Sequence, residues 1–182
     1  MELAIRPSEL KEAELIFQLR SDVRLRDMQY KPSRREYPEL YVELSLACAD
    51  QPKPVFKCWT IFLNDEFCGH ISETLHQTLP DGLTVSLGWN IVPEQWGKGV
   101  APNAIRLFLD QKFDDDESVQ FLALCFQSNS RCRRVLDKLG FVPELPSIRE
   151  KLTNWLRTFG RQRLCKYRLT RNEWKTNHPV AG

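Results

Sequence analysis

The sequence predicts an α/β (α+β) fold, in which helices cover both faces of a central sheet. Three observations lead to this class. Two strand-like segments around an Asn-Asp turn are typical of an antiparallel hairpin. A third segment, Leu83 to Ile91, alternates large apolar residues with small or polar ones, as a half-buried strand does. Beyond it, apolar stripes at helical spacing flank another short strand, and this order is expected when helices pack on a sheet.

The N-terminal part is predicted to begin with a strand and two helices. Leu3 to Arg6 is a short strand candidate, and apolar residues at helical spacing follow Ser8, which we expect to cap the first helix. A second helix is expected near Glu36 to Cys48, after a basic connection. The hairpin then comprises Phe56 to Leu63 and Phe67 to Leu75, whose β-branched and aromatic residues favour strands.

The C-terminal half is predicted to alternate helices and strands. Apolar residues from Ala101 to Phe108 and from Cys132 to Leu139 recur at helical spacing, and a glycine that is typical of a helix end follows the second stripe. Between them, Val119 to Cys125 is almost entirely apolar and suits a strand covered on both faces. A helical segment precedes the last strand, Arg163 to Thr170. We expect a polar tail after it, with residues 177–182 flexible.

Length and charge restrict the possible functions. With 182 residues the chain is expected to form a single domain, residues 1–182, and its formal net charge of +2 provides no general attraction to nucleic acid or membranes. No apolar run is long enough to span a membrane, and the N-terminus lacks the apolar core of a signal peptide. We therefore expect a cytoplasmic protein without a nucleic-acid or membrane partner.

The six cysteines predict neither disulfides nor a metal site. Each lies alone in an apolar segment, without a second cysteine at CxxC spacing or a histidine at ligand spacing. Reduced, mostly buried thiols are therefore the expected state, and no metal is expected as a cofactor.

The corner between the alternating strand and the next helix has the features of an anion site. Gly97 and Gly99 leave space around the backbone, Lys98 adds a positive charge, and a helix N-terminus presents unpaired N–H groups. The spacing is not that of a Walker loop, nor that of a dinucleotide fingerprint, since Asn103 lies near the place of its third glycine. A phosphate or pyrophosphate suits the corner, and the glycines alone are compatible with several nucleotides.

Two motifs stand apart in the sequence. The first is GWNIVPEQWGKGVAPNAI, Gly88 to Ile105, and the second is NSRCRRVLDKLGF, Asn129 to Phe141. Together they resemble the GNAT superfamily of acetyl-CoA-dependent N-acetyltransferases. YRLTRNEW, Tyr167 to Trp174, also resembles the closing strand of one branch, the ribosomal-protein N-terminal acetyltransferases of the RimJ and RimL type. The loop of that branch is matched residue for residue by Trp96, Gly97, Lys98, Gly99, Val100 and Ala101.

The resemblance implies a particular fold and a way of binding acetyl-CoA. The GNAT sheet is mixed, mostly antiparallel and splayed between its fourth and fifth strands, so that the backbone around Asn90, Ile91 and Val92 is expected to bind the pantetheine arm. The implied reaction is direct attack of an amine on the thioester in a ternary complex, aided mainly by positioning and by a backbone N–H. The pyrophosphate is expected on the backbone N–H groups of Gly97, Lys98, Gly99, Val100 and Ala101.

Three positions depart from the family pattern, and they concern two proton transfers. Ser86 occupies a place where many relatives carry a glutamate, so Glu73 is the candidate base or holder of a base water, with a structural role as the alternative. Leu136 replaces a tyrosine that donates a proton to the leaving thiolate. Cys132, in place of a serine, can donate that proton or can simply pack in its helix. Asn129 is expected to hold the pantetheine or the helix start.

The leading hypothesis is an acetyl-CoA-dependent N-acetyltransferase that acts on a primary amine, either a protein N-terminus or an amino compound. A drug-like or metabolite amine, with another acyl group as an option, is a second hypothesis. An acyl-CoA-binding protein without turnover is a third. The basic and aromatic segment from Arg24 to Tyr37 favours an acidic or polar acceptor over a polyamine. A monomer and a homodimer both remain open.

Overall fold

A seven-stranded mixed sheet forms the centre of the molecule. The computed structural model describes residues 2–26, 28, 55–79 and 82–178. The strands are β1 (Leu3–Pro7), β2 (Phe56–Leu63), β3 (Glu66–Leu79), β4 (Gly82–Ile91), β5 (Gln120–Phe126), β6 (Val142–Glu144) and β7 (Leu164–Thr170). Their order across the sheet is β1-β2-β3-β4-β5-β7-β6. Within the described residues β4 and β5 run parallel, and the other neighbouring pairs are antiparallel.

Helices pack on both faces of the sheet, as the sequence predicts. They are α1 (Ala13–Ser21), α2 (Val23–Arg26), α3 (Val100–Asp115), α4 (Ser130–Lys138), α5 (Ile148–Thr158) and α6 (Arg171–Asn177). On one face, Phe108 of α3 meets the Trp59 ring of β2 with 5.6 Å between ring centroids. On the other face, Cys58 of β2 packs against Ala13 and Ile16 of α1. Successive β2 residues therefore contact different helices, because strand side chains alternate between faces.

Aromatic side chains join α3 to the sheet. Phe108 is fully buried and lies edge-on to Phe121 of β5, and Phe113, one and a half turns later, also meets Phe121 edge-on. Trp174 of α6 covers the other side of Phe113, with 6.1 Å between the ring centroids. Edge-to-face pairs of this kind add about 0.5–1.5 kcal/mol each beyond burial. The helix that follows the glycine corner is therefore held firmly against the sheet.

The hairpin of β2 and β3 is confirmed, and its second strand is longer than predicted. Asn64 and Asp65 both have positive φ, 49° and 65°, which is the conformation that a tight two-residue hairpin turn requires. β3 continues beyond Leu75 to Leu79, and the pairing with β4 shifts between Leu75 and Gln77. A polar end to this strand explains why its last residues were not predicted.

Two expectations for the N-terminal part need comment. Ser8 does not cap the first helix, since its hydroxyl bonds to the Thr60 hydroxyl at 2.8 Å. Instead, Glu9 precedes a short 3-10 turn, and its N–H donates to the Glu12 carboxylate at 3.0 Å. The predicted helix near Glu36 to Cys48 lies outside the described residues.

The C-terminal end contains two elements that the sequence analysis did not predict. β6 pairs with β7 at the edge of the sheet, and α6 begins directly after β7 where a polar tail was expected. The α6 N-terminus forms a capping box, in which the Thr170 hydroxyl and the Glu173 carboxylate accept from each other's backbone N–H groups. A helix therefore replaces the polar tail that was expected directly after β7, the flexibility of residues 177–182 stays a prediction, and residues 179–182 lie outside the described part.

The sheet separates between β4 and β5. Their ladder contains three residue pairs, which end at Ser86 and Leu122. Beyond this point β4 continues to Ile91 and β5 to Phe126, without further pairing between their described residues. The mixed, splayed sheet expected from the GNAT resemblance is thus present, and its gap lies at the centre of the fold.

Candidate active site

The gap between β4 and β5 opens into a cavity of about 1080 Å³. Its walls include β4 from Ser86 to Ile91, β5 from Ala123 to Cys125, and two parts of the corner, Gln95 to Gly97 and Gly99 to Pro102. Residues of α1, α2, α4 and α5 also line the cavity, as do Phe56 of β2 and Ser72 and Thr74 of β3. One cavity therefore joins the strand backbone and the adjacent glycine corner to the start of α4, which lies far from them in sequence.

Trp96 joins the glycine corner to the end of β4. Its indole N–H donates to the Ile91 carbonyl at 2.8 Å, so the chain is fastened across the 3-10 turn Pro93–Gln95. The guanidinium of Arg131 lies over the Trp96 ring, 4.6 Å from its centroid. Trp96 thus fixes the direction in which the corner leaves β4, and Arg131 brings a positive charge next to it.

The corner adopts backbone conformations that favour glycine. Gly97 has φ +78° and Gly99 has φ +80°, and both lie in the left-handed region that other residues adopt only at a cost. Gly99 is also the N-cap of α3, whose Pro102 falls in the first turn and has no N–H to satisfy. These two glycines let α3 begin beside the cavity with its backbone exposed.

The first turn of α3 presents free hydrogen-bond donors to the cavity. The N–H groups of Gly97, Gly99, Val100 and Ala101 donate to no other described group, whereas the Lys98 N–H approaches the Gln95 carbonyl at 3.4 Å. Such N–H groups, together with the positive end of a 16-residue helix, attract anions. The anion site predicted at the corner therefore has four free donors in this arrangement.

The strand backbone that faces the gap differs in detail from the expectation. The Val92 N–H donates to the Cys68 carbonyl of β3 at 2.9 Å, so Val92 is not available to a ligand. Because backbone groups alternate sides along a strand, those of Asn90 also point toward β3, and those of Trp89 and Ile91 point into the gap. The Ile91 carbonyl is already bonded to Trp96. This corrects the expected set, in which Trp89 had no part.

Asn129 and Cys132 lie together at the start of α4. The Asn129 side-chain oxygen accepts from the Cys132 N–H at 3.0 Å, which makes Asn129 the N-cap, and its amide nitrogen donates to the Met28 carbonyl at 3.4 Å. Asn129 therefore fixes the helix start, one of the two roles expected for it. Both residues line the cavity.

The thiol of Cys132 is a neutral group at the cavity wall. A hydrogen bond with Cys125 of β5, followed by burial, raises the pKa of Cys132 well above its usual range. Five cysteines of the described residues are free thiols, in agreement with the expected reduced state; Cys48 lies outside them. At neutral pH the Cys132 thiol is therefore protonated and can donate a hydrogen bond.

Glu73 is not brought to the cavity. It pairs with Leu87 across β3 and β4, on the face covered by α3. Its carboxylate forms an ion pair with Lys112 at 3.0 Å and accepts from the Trp59 indole N–H at 3.0 Å, in buried surroundings. The expectation that Glu73 acts as the base is therefore corrected by its position, since the sheet lies between its carboxylate and the cavity.

His70 and Asn90 form a buried polar pair behind the cavity wall. The ring Nε2 of His70 and the Asn90 side-chain nitrogen are 3.0 Å apart, which fits an amide donating to a neutral imidazole. Burial is the main cause that lowers the pKa of His70 well below its usual value, and the nearby charge of Arg20 adds to it. The neutral ring fixes the Asn90 side chain, which lines the cavity.

Replacing His70 with glutamine is expected to make stability less sensitive to acid. The folded state disfavours the protonated ring, whereas the unfolded chain binds a proton near pH ~6.5, so the His70 contribution is present above that pH and lost below it. In the wild type this loss approaches about 1.4 kcal/mol per pH unit. Urea unfolding at several pH values between about 5 and 8 measures the slope. A His178→Gln variant is measured alongside as a second histidine substitution, and an unchanged slope in His70→Gln contradicts the prediction.

Among the charged side chains in the described lining of the cavity, most are positive. Arginine and lysine side chains enter it from α1, α4 and α5, and among the described lining residues Glu150 is the one carboxylate. The basic lining residues are Arg20, Arg131, Arg134, Lys138 and Arg149. A ligand with several negative charges is therefore favoured. Sequence reasoning missed this set, although the basic run in α4, RCRR, was a signal for it.

A sequence comparison identifies the family. Residues 2–142 match the family described as the acetyltransferase (GNAT) domain. The chain belongs to the GNAT acetyltransferase family. The match covers the splayed strands, the glycine corner and α4, so the GNAT assignment rests on the same residues as the cavity.

Solved structures with the GNAT fold are similar to this chain over nearly its whole length. A ribosomal-protein-S5-alanine acetyltransferase from Vibrio fischeri shares 19% identity with a TM-score of 0.75, and 96% of each chain is covered. A SpeG spermidine N-acetyltransferase chimera from Vibrio cholerae and hSSAT shares 17%, with a TM-score of 0.73 and coverage of 96% of this chain and 98% of that one. RimL, a ribosomal-protein acetyltransferase bound to coenzyme A through a disulfide, shares 14%, with a TM-score of 0.72 and coverage of 92% and 93%. Among curated proteins none matches the sequence.

These comparisons establish the GNAT fold and an acetyltransferase family, and the acceptor differs among the neighbours. One acetylates a ribosomal protein and another acetylates spermidine, according to their names. Family membership implies acetyl-CoA as the donor.

In the described part of the chain, no helix combines the length and the apolar character needed to cross a membrane.

Proposed function

We propose that this chain transfers the acetyl group of acetyl-CoA to a primary amine, with both substrates bound together in the cavity. The observation that carries the proposal is the junction of three features in one cavity: gap-facing strand backbone, four free N–H groups at the corner, and a neutral thiol at the start of α4. Each feature matches a different part of a CoA thioester. The thioester supplies the activated acetyl group when it is bound.

The residues of the cavity fit acetyl-CoA. The gap-facing peptide groups of Trp89 and the N–H of Ile91 can bond the amides of a pantetheine arm as a further strand would. The corner N–H groups suit the pyrophosphate, and there is space for it because a Cβ built on Gly97 meets no atom within 4 Å. Arg131, Arg134 and Lys138 of α4 supply charge for the remaining phosphate.

Cys132 is proposed to donate a hydrogen bond to the leaving sulfur, because a thiol whose pKa is raised is too weak an acid to protonate a thiolate fully. Its thiol is protonated at neutral pH, lies at the cavity wall and is held by the cap of α4. Deprotonation of the incoming amine is assigned to water rather than to Glu73. The hydroxyls of Ser72, Thr74 and Ser86 line the same cavity from β3 and β4, and can hold such a water.

A peptide N-terminus is favoured over a polyamine as the acceptor. A polyamine carries several positive charges and is repelled by the positive lining contributed by Arg20 and Arg149. A peptide has one amine to acetylate and can carry acidic side chains that these arginines attract. The same argument leaves a small amino compound with an acidic group as the alternative. We also propose a cytoplasmic location, which the free thiols support.

A thiol-release assay on an acceptor panel tests the proposal. The purified protein is incubated with acetyl-CoA and with short peptides of varied N-terminal residues, spermidine, or acidic amino compounds. We expect free CoA to appear fastest with peptides that have acidic residues near the N-terminus, and mass spectrometry should show one added acetyl group. Faster release with spermidine contradicts the acceptor assignment.

Two measurements separate failure of turnover from failure of binding. If acetyl-CoA raises the melting temperature but no acceptor on the panel accelerates thiol release, a binding protein without turnover replaces the enzyme.

Within an active enzyme, Cys132→Ala is expected to lower kcat about tenfold, and Cys132→Ser to retain more activity because its hydroxyl can still donate. Equal rates for wild type and both variants remove Cys132 from the reaction.

A further inference from the structure

Helix α5 exposes large apolar residues on its outer side. They recur at the spacing of one helix face, and they continue past both ends of the helix. Each of them is between 56% and 85% exposed. This set, which we call the α5 stripe, consists of Leu145, Ile148, Leu152, Trp155, Leu156 and Phe159.

The inner side of α5 is polar, which reverses the usual pattern of a surface helix. Asn154 is buried, and its amide donates to the Gln162 carbonyl at 2.7 Å. Glu150 approaches Lys166 of β7 at 3.4 Å, and Thr153 lines the cavity. Polar contacts therefore attach α5 to its own chain, and the apolar stripe is left for something else.

Phe159 adds a second observation at the C-terminal end of the stripe. It has φ +49°, in the left-handed region where helix ends usually place glycine or asparagine, and another residue costs about 1 kcal/mol there. The ring is 84% exposed, so contacts within the chain do not offset this strain. An aromatic residue held outward in this way is typical of a contact residue.

The size of the stripe identifies the kind of partner. With roughly 200 Å² for each large side chain, it exposes on the order of 800 Å². This exceeds the largest apolar patch of an ordinary monomer, about 300–600 Å², and it equals one side of a standard stable interface. We propose that two copies of this chain associate through their α5 stripes as an antiparallel helix pair.

The spacing within the stripe suits such a symmetric pair. Ile148 and Phe159 have the same midpoint along the chain as Leu152 and Trp155, between Thr153 and Asn154. A two-fold axis at this midpoint places Ile148 opposite Phe159 of the partner subunit and Leu152 opposite Trp155 of the partner subunit. In a two-fold symmetric pair each contact is made twice, so these two pairings give four apolar contacts across the axis.

The dimer has a consequence for the cavity. Arg149, Glu150 and Thr153 line the cavity from the inner side of α5, whose outer side the second copy would cover. Association therefore holds α5 in place as one wall of the cavity. The proposal concerns association alone, so it does not depend on the reaction, and its test needs no substrate.

Light scattering on the full-length protein as it elutes from a size-exclusion column tests the association. We expect a dimer at about 10 μM wild-type protein and a monomer for Ile148→Glu and Leu152→Glu, since a buried unpaired charge opposes association. Both positions are so exposed that the fold should tolerate the change, and circular dichroism checks this. Leu107→Glu makes the same change on exposed α3 and should remain dimeric. A monomeric wild type up to about 100 μM, a larger assembly, or an Ile148→Glu dimer overturns the proposal.

Cross-linking tests the antiparallel geometry. One preparation carries Ile148→Cys and another carries Phe159→Cys, and the two are mixed before mild oxidation. We expect covalent dimers at a several-fold higher yield in the mixture than in either preparation alone, because the proposed pairing brings position 148 to position 159 of the other copy. The unsubstituted chain measures the background from its native thiols. Equal yields in the mixture and in the separate preparations contradict the antiparallel pair.

Discussion

Glu73→Gln is expected to lower the free energy of unfolding by about 3 kcal/mol while the folded protein keeps its rate of thiol release. The substitution leaves the Lys112 ammonium without its anion, and that ammonium lies between the rings of Trp59, at 4.4 Å, and Phe108, at 5.2 Å. The attraction of the rings cannot replace a carboxylate. Loss of a general base, in contrast, would lower kcat by about 10²- to 10⁴-fold without an equal loss of stability.

A double variant provides the matched control for Glu73. Glu73→Gln/Lys112→Met removes both charges and fills the space beside Trp59 and Phe108 with an apolar side chain, so most of the lost stability should return. Urea unfolding measures stability, and thiol release at a temperature well below the midpoint measures activity. A Glu73→Gln protein that is stable but inactive would return Glu73 to the role of base.

Gly99→Ala is expected to weaken acetyl-CoA binding about 30-fold, measured as the dissociation constant by calorimetry. A Cβ at this position meets no described atom nearer than 3.8 Å, so the protein itself has space for it. The left-handed φ of +80° is nevertheless strained for alanine, by about 1–2 kcal/mol, and relaxation moves the corner N–H groups. A hydrogen bond to a charged group contributes about 1.5–3 kcal/mol, so the loss of one produces an effect of this size.

The control for Gly99 is another glycine with the same kind of backbone. Gly140 has φ +76° at the end of α4 and does not line the cavity. Its Cβ would meet the Asn177 side chain, so Gly140→Ala is combined with Asn177→Ala. This variant shares the strain and should bind acetyl-CoA as the wild type does. Equal weakening in both variants would mean that strain, and not the corner donors, determines the affinity.

Local chemistry explains why much of the fold could be predicted. The alternation of Leu83 to Ile91 and the glycines of the corner each act within a few residues, so their consequences can be inferred without tertiary contacts. The start of α4 is a further case, since the Asn129 side chain and the Cys132 N–H are close in sequence. The predicted glycine corner and the predicted start of α4 follow from these local rules.

Contacts between distant residues explain what could not be predicted. Glu73 was placed on the correct strand, but its partner Lys112 lies 39 residues further along the chain, and no local pattern joins them. Val92 was expected to bind the pantetheine arm, but its N–H bonds to Cys68, which is also distant in sequence. The short helix α6 is different, because the Thr-x-x-Glu pattern at Thr170 was a local signal that the polar composition obscured.

The gap between β4 and β5 also bears on how this protein avoids aggregation. Unpaired peptide groups at the rim of a sheet can recruit strands from other molecules, and many proteins protect the rim with charges, prolines or bulges. Here the comparable groups are the gap-facing ones of β4 beyond Ser86, and they lie at the centre of the sheet, with α4 and α5 lining the same cavity. Another chain cannot reach them edge to edge. The protein can therefore keep unpaired strand groups in its cavity without exposing them to the strands of other molecules.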